Sequence, residues 1–204
     1  MKLEHFHAIE PNKDHLETLK KTVSLWGNVK MTIESRYFTE DYQMDRKFDM
    51  ILMSHCMYCM DNPMPVIINA VSFLKPMGSL VIFSQTDIGG YELYAHMKEH
   101  IDMARPINDH FVTSASISEA LCNNAIKHDL QVGPSQLDVT DFIDKRDTPT
   151  ANHVVTFLLQ TEYAFLAENL QKSIYEMVKA RVTTDASGKH MFNHPSGMVV
   201  VRRE

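Results

Sequence analysis

Ser54, His55, Cys56 and Tyr58 follow on Asp49 and the apolar run at 50–53, and Asn62-Pro63 then offers a helix start. An acidic residue, an apolar run and a polar, aromatic turn is how a buried parallel strand delivers side chains to a crevice at its C-terminal end. Gly78 to Gln85 repeats the form, with a turn glycine, Leu80-Val81-Ile82-Phe83 and then polar residues. Glu10 closes a shorter apolar stretch ahead of Pro11. A carboxylate fixed at a strand end can accept hydrogen bonds from both hydroxyls of a ribose. As the first acid of a following helix it would instead complement the helix dipole. Cys56-x-x-Cys59 has the spacing of a redox or zinc pair, but no second pair stands at metal-site spacing, so packing of small apolar side chains is the reading adopted. His5 and His7 alternate on one strand face, and His190 and His194 are a second pair; neither has a third ligand near in sequence. Fourteen methionines point to an adaptable core or pocket and to no particular cofactor.

The elements that must hold these residues alternate between strand and helix. A strand at 6–9 stops at Pro11, and a helix opening at Asn12 or Pro11 carries Leu16, Leu19, Val23 and Leu25 near one face. Strands are expected at 29–33 and 49–54, separated by a polar loop at 34–47. Asn62-Pro63 starts a helix with the stripe Val66, Ile67, Ala70, Val71 and Leu74, which Pro76 and Gly78 should break. After a strand at 80–83, Gly89-Gly90 marks a turn, 91–103 reads helical and 105–111 is a loop. Ser114 caps a helix with Ile117, Leu121 and Ala125 inside. A strand at 129–139 is interrupted by Gly133-Pro134, and 144–150 is polar. Helices at 154–165 and 170–182, a turn at 185–189 and a strand at 197–201 complete the chain. The pattern implies an α/β sheet with its ligand site along one rim.

Composition narrows the class. The chain has 204 residues, 44% of them hydrophobic, so one domain with a full core is expected over 1–204. The net charge of −6, with Lys and Arg scattered, provides no basic field for nucleic acid. Three cysteines do not make a disulfide framework. No apolar run approaches the roughly 18 residues of a membrane helix, and residues 1–5 lack a signal-peptide core. The expectation is a cytoplasmic monomer acting on a small molecule. There is no Gly-x-Ser-x-Gly elbow, no phosphate-binding Gly-x-x-x-x-Gly-Lys loop, no His-Glu-x-x-His and no Gly-x-Gly-x-x-Gly.

With those motifs set aside, the order of elements resembles the class I S-adenosylmethionine-dependent methyltransferases, and within them the histamine N-methyltransferase family. The residues that carry the resemblance are Ile9-Glu10-Pro11, Asn28-Val29-Lys30, Tyr42-Gln43, Phe48-Asp49 through Tyr58, and Asp61 before its helix. It continues through Leu80-Val81-Ile82, Gly90-Tyr91, Thr113-Ser114 and Phe192-Asn193. The resemblance implies a Rossmann-like α/β sheet with S-adenosylmethionine across its strand ends. It implies that Glu10 holds the cofactor ribose, that His15 contacts the cofactor, that Thr39 lies near the adenine and that Ser54 follows the fourth strand at the cofactor. By the same resemblance His55, Tyr58, Tyr91, Phe157 and His194 line the pocket of a small amine substrate, histamine or a related imidazole amine.

The sequence departs from that family in two respects. It begins at the family's second strand, so the first strand, the glycine-rich loop and a substrate-binding glutamate are expected to be absent, and this chain alone is expected to bind the cofactor weakly. Several pocket residues also differ, with His55 for glutamine, Cys59 for tyrosine, Tyr91 for tryptophan and His194 for asparagine, which leaves the acceptor open. A non-catalytic methyltransferase-like binding or regulatory protein is the alternative, and another nucleotide-binding α/β protein is the third reading.

Overall fold

The structure is a computed structural model that describes residues 3–27, 29–60, 62–98, 113–145, 149–159 and 161–204. Strand β1 (His5–Ile9) leads into α1 (Lys13–Val23), whose N-cap Asn12 accepts from the N–H groups of Asp14 and His15 at 2.9 and 3.4 Å. Leu16 and Val23 are its buried residues. Strand β2 (Lys30–Glu34) returns parallel to β1. After the loop come β3 (Phe48–Ser54), α2 (Pro63–Ser72) and β4 (Leu74–Gln85), a parallel β-α-β unit.

Helices α3 (Gly90–Met97) and α4 (Ser114–Asn123) precede β5 (His128–Gly133) and β6 (Gln136–Asp138). The rest is α5 (Thr140–Asp144), α6 (Pro149–Leu159), α7 (Glu168–Lys179), the hairpin β7 (Val182–Thr184) and β8 (His190–Asn193), and β9 (Ser196–Arg202). Among the described residues no helix is long and apolar enough to cross a membrane.

The main sheet has the order β3-β4-β9-β5, with β9 antiparallel to both neighbours. On one face α2 and α4 enclose Met53, Ile67, Leu74, Leu80, Ile82, Ile117, Leu121 and Val199. On the other face of β3, Met50 and Leu52 stay 54% and 57% exposed. The β1-β2 pair is a separate ladder. It lies alongside β3 through side chains: Arg46 Nη1 is 2.7 Å from His5 Nδ1, and the His7 and Phe48 rings meet edge to face at 5.9 Å. The loop after β2 bridges the two ladders. Asn69 of α2 donates to the carbonyls of Thr39 and Tyr42 at 3.0 Å each, and Tyr42 stacks edge-on to Phe73 at 5.8 Å. A second core, built from α3, α5, α6, α7 and β8 around Leu93, Phe142, Val155, Leu159, Ile174 and Phe192, goes with the small sheet β6-β8-β7.

Several expectations shift. Strand β4 begins at Leu74, directly after α2, and runs through Pro76 and Gly78. An irregularity opposite 48–50 absorbs the extra residues. The N-cap of α4 is Thr113, which exchanges hydrogen bonds with Ser116, and Ala125 lies past the helix end with φ 55°. The segment expected as one strand at 129–139 divides at Gly133-Pro134 into β5 and β6, which join different sheets. Helix α6 starts and ends earlier than expected, with a 3-10 turn at Tyr163–Phe165 after it, and the β7-β8 hairpin around the turn at 185–189 was not expected. The helix expected to 103 is described only to residue 98, and the loop at 105–111 and residues 146–148 of the polar segment lie outside the described residues.

One glycine fixes how closely α4 approaches the sheet. A Cβ at Gly197 on β9 would sit 2.2 Å from Ser114 Cβ. Gly197→Ala is expected to destabilise the fold by about 1–3 kcal/mol, as overpacking does. Adding Ser114→Gly should recover most of that loss, read as urea midpoints of the two variants.

Candidate functional site

Two side-by-side contacts and one electrostatic proximity set the direction of the two ladders. His5 meets Arg46 ahead of β3, His7 meets Phe48 at its start, and Glu10 acts electrostatically on Cys56 just past its end. Strands β1 and β3 therefore run the same way, and their C-terminal ends open on one rim. β4 is parallel to β3, so Thr86 to Gly90 emerge there too, and the antiparallel β9 starts there, opposite Gln85, bringing His194 in from the second core.

At the first strand end, Glu10 is anchored through one oxygen. Its N–H donates to the Glu34 carbonyl at 3.0 Å, and its Oε1 accepts from the Asn12 N–H at 2.7 Å. His15, exposed on the first turn of α1, stands 3.8 Å from the same oxygen. Among the described residues Oε2 makes no hydrogen bond. A partly exposed carboxylate pinned through one oxygen is suited to accept hydroxyl donors with the other.

At the second strand end, Ser54 is exposed and His55 turns the chain with φ 50°. Its N–H donates to the Phe83 carbonyl at 2.9 Å, so the left-handed residue is held by the β3-β4 ladder. A non-glycine residue in that region costs about 1 kcal/mol or more, and such residues cluster at functional turns. Partial burial, which disfavours the charged form, lowers the His55 pKa. Cys56 is next. Burial first, and then the neighbouring Cys59 and Glu10, push its thiol up to about 11. It stays protonated at neutral pH and is no nucleophile. Tyr58 lies in the 3-10 turn Met57–Cys59, and its side chain is outside the described residues. Among the described residues no group of three His, Cys, Asp or Glu is placed to hold a metal.

The third strand end is the Gly89-Gly90 turn after β4. Gly89 adopts φ 82°, and its N–H donates to Glu92 Oε2 at 3.0 Å. Arg181 of the second core reaches the same oxygen at 3.3 Å. The Gly89 N–H, with Arg181 behind it, holds the Glu92 carboxyl below the usual range. The Gly90 N–H donates to His194 Nδ1 at 3.1 Å. His194 is half-buried; desolvation, and then His55 close enough to repel a second positive charge, lower its pKa. Glu92, Arg181 and Leu158 are the residues sequence reasoning missed. A glutamate three positions after a Gly-Gly turn is the one signal that pointed to Glu92.

The remaining site residues are spread more widely. Tyr91 follows Gly90 in the first turn of α3 and stacks tilted on Tyr94 at 6.1 Å. Phe157 is 63% exposed on α6, whereas its neighbour Leu158 is the residue that closes over Gly90. Thr39 is exposed in the loop after β2. Its hydroxyl donates to Asp41 at 2.5 Å and its carbonyl accepts from Asn69 on the flank of α2, so its contacts are with that flank. The structure thus brings Glu10, His15, Ser54, His55, Tyr91 and His194 to one rim.

Two outcomes follow. His55→Gly should raise stability by about 1 kcal/mol by relieving the left-handed strain, whereas His55→Ala should not, measured as urea midpoints. The lowered pKa values of His55 and His194 mean that the unfolded chain, titrating near 6.5, binds more protons than the folded one as pH falls through that value. Stability should therefore rise between pH 5.5 and 7.5, and His194→Asn should flatten that rise.

No family model matches the sequence. The chain is 25% identical over 212 residues to carnosine N-methyltransferase 2 of Gallus gallus, a match that takes in 94% of this chain and 63% of that protein. A candidate methyltransferase of Bacillus halodurans C-125 superposes with a TM-score of 0.59 at 12% identity, over 98% of this chain and 83% of its own. The YcgJ protein of Bacillus subtilis does so with a TM-score of 0.57 at 11% identity, over 97% and 82%. The fold of this chain is the α/β, Rossmann-like fold of the class I methyltransferases.

Proposed function

We propose that this chain belongs to an S-adenosylmethionine-dependent N-methyltransferase whose acceptor is a small imidazole-bearing amine such as histamine or carnosine. The observation that carries the reading is the convergence of the Glu10 carboxylate, the strained Ser54-His55 turn and His194 on one rim of a methyltransferase fold. The similarity to a carnosine N-methyltransferase supports the chemistry, and histamine remains the acceptor of the sequence resemblance.

Glu10 would hold the ribose hydroxyls through its unengaged oxygen, with His15 beside it and Ser54 at the neighbouring strand end. When bound, S-adenosylmethionine supplies an electrophilic methyl group on a sulfonium. The chain's own residues have to orient a neutral amine lone pair for in-line displacement and exclude water. Tyr91 offers a ring face that favours a cation. His55, whose surroundings favour the neutral form, is able to accept the proton an ammonium substrate must lose before it attacks.

The test is transfer of a labelled methyl group from S-adenosylmethionine by the full-length protein to histamine, to carnosine and to a non-imidazole amine. Turnover of an imidazole amine is expected. Glu10→Gln should raise the KM for S-adenosylmethionine about tenfold or more, as losing a charge-assisted hydrogen bond does. No transfer to either imidazole amine, with binding of S-adenosylhomocysteine intact, would refute the reading in favour of a non-catalytic binding protein.

A further inference from the structure

The turn between β4 and α3 closes on one ring. A Cβ at Gly90 would stand 2.9 Å from His194 Cε1 and 3.0 Å from Leu158 Cδ2. A Cβ at Gly89 would stand 2.5 Å from the Asn193 carbonyl oxygen and 3.2 Å from His194 Nδ1. No side chain fits at either position while the ring stays where it is. The turn itself is braced, because the Gly89 N–H is held by Glu92 and Glu92 by Arg181. The ring's own backbone is braced as well, with the His194 N–H donating to the Ser135 carbonyl at 2.9 Å.

A neutral imidazole has one donor nitrogen and one acceptor nitrogen. The Gly90 N–H is a donor that cannot become an acceptor, so its partner Nδ1 must be the bare nitrogen and the ring proton must sit on Nε2. Among the described residues Nε2 makes no hydrogen bond. We infer that the Gly89-Gly90 turn is a positioning element that locks His194 in the Nε2–H form, so that His194 recognises its substrate as a hydrogen-bond donor. The class of substrate it selects carries an acceptor at that point, the unprotonated nitrogen of an imidazole or a carboxylate oxygen. An amine that presents only N–H donors there would be disfavoured, because donor would face donor. The assignment of a substrate rests on the methyltransferase reading above; the tautomer lock does not.

The experiment is nitrogen-15 NMR of the histidine rings in the full-length protein at pH 8, with the His194 signal identified by its loss in His194→Asn. A single Nε2–H tautomer is expected, and an Nδ1–H form or an averaged mixture would overturn the lock. Gly90→Ala should shift the signal toward a mixture and raise the KM for the imidazole amine by roughly threefold to tenfold, the effect of losing one neutral hydrogen bond. His194→Asn, which retains a donor, should cost less than His194→Leu. Titration with histamine and carnosine should move the Nε2–H resonance; a locked signal that neither ligand moves would overturn the donor role. A locked, ligand-responsive Nε2–H in a protein without methyl transfer would remove the enzymatic reading and leave this one standing.

Discussion

The strand β4 is the constraint on which the site depends. It pairs in parallel with β3 through residues 50–54 and antiparallel with β9 through residues 79–85. Leu80 and Ile82 are fully buried against α2 and α4. Because β4 is paired on both sides through residues 79–83, the register of its neighbours is fixed to the residue there. That register makes the Phe83 carbonyl the acceptor for His55 and sets Ser196 opposite Gln85. Shifting β4 by one residue would turn Leu80 and Ile82 outward and separate His55 from His194 in the same step.

Energy and function are divided between the two cores. The first, between the main sheet and α2 and α4, supplies apolar burial and carries little chemistry, apart from fixing where the strands end. The second, around Phe142, Ile174 and Phe192, brings Arg181 to Glu92, Leu158 over Gly90 and His194 to the rim. Neither core makes the site alone. The strand ends provide Glu10 and His55, and the second core provides the ring that faces them. At the rim the chain accepts local costs that packing elsewhere offsets, with a histidine in the left-handed region and two neighbouring imidazoles whose charging is disfavoured.

The β1-β2 pair is held differently. It is a separate ladder, joined to the rest by the edge-to-face contact of His7 and Phe48 and by the loop that Asn69 and Phe73 grip. Glu34 ties that loop down, receiving the Tyr42 hydroxyl at 2.9 Å and meeting His7 Nε2 at the same distance. These side-chain contacts are enough to bring Glu10 to the rim shared by β3. They lack the continuous backbone bonding that fixes register inside the main sheet.

The apolar runs at 50–53 and 80–83, the Asn62-Pro63 start of α2 and the capped start of α1 were legible in the sequence because each is a local pattern with a local cause. So was the alternation of strand and helix, and with it the fold and the end of the sheet where polar residues collect. The path of β4 through Pro76 and Gly78 was not legible, since an irregular pairing with β3 overrides what those residues do in isolation. Nor was the β7-β8 hairpin, which becomes a sheet only when β6 joins it from some 50 residues away. Its place just past a strand named His55, and the family resemblance named His194. Only the tertiary structure decided that His55 lies close enough to disfavour charge on His194, that a Gly-Gly turn 104 residues from His194 chooses which nitrogen carries its proton, and that Thr39 is spent on the flank of α2. The physical reason is that propensity and periodicity act within a few residues, whereas a hydrogen bond to a ring nitrogen depends on where two distant backbones come to rest.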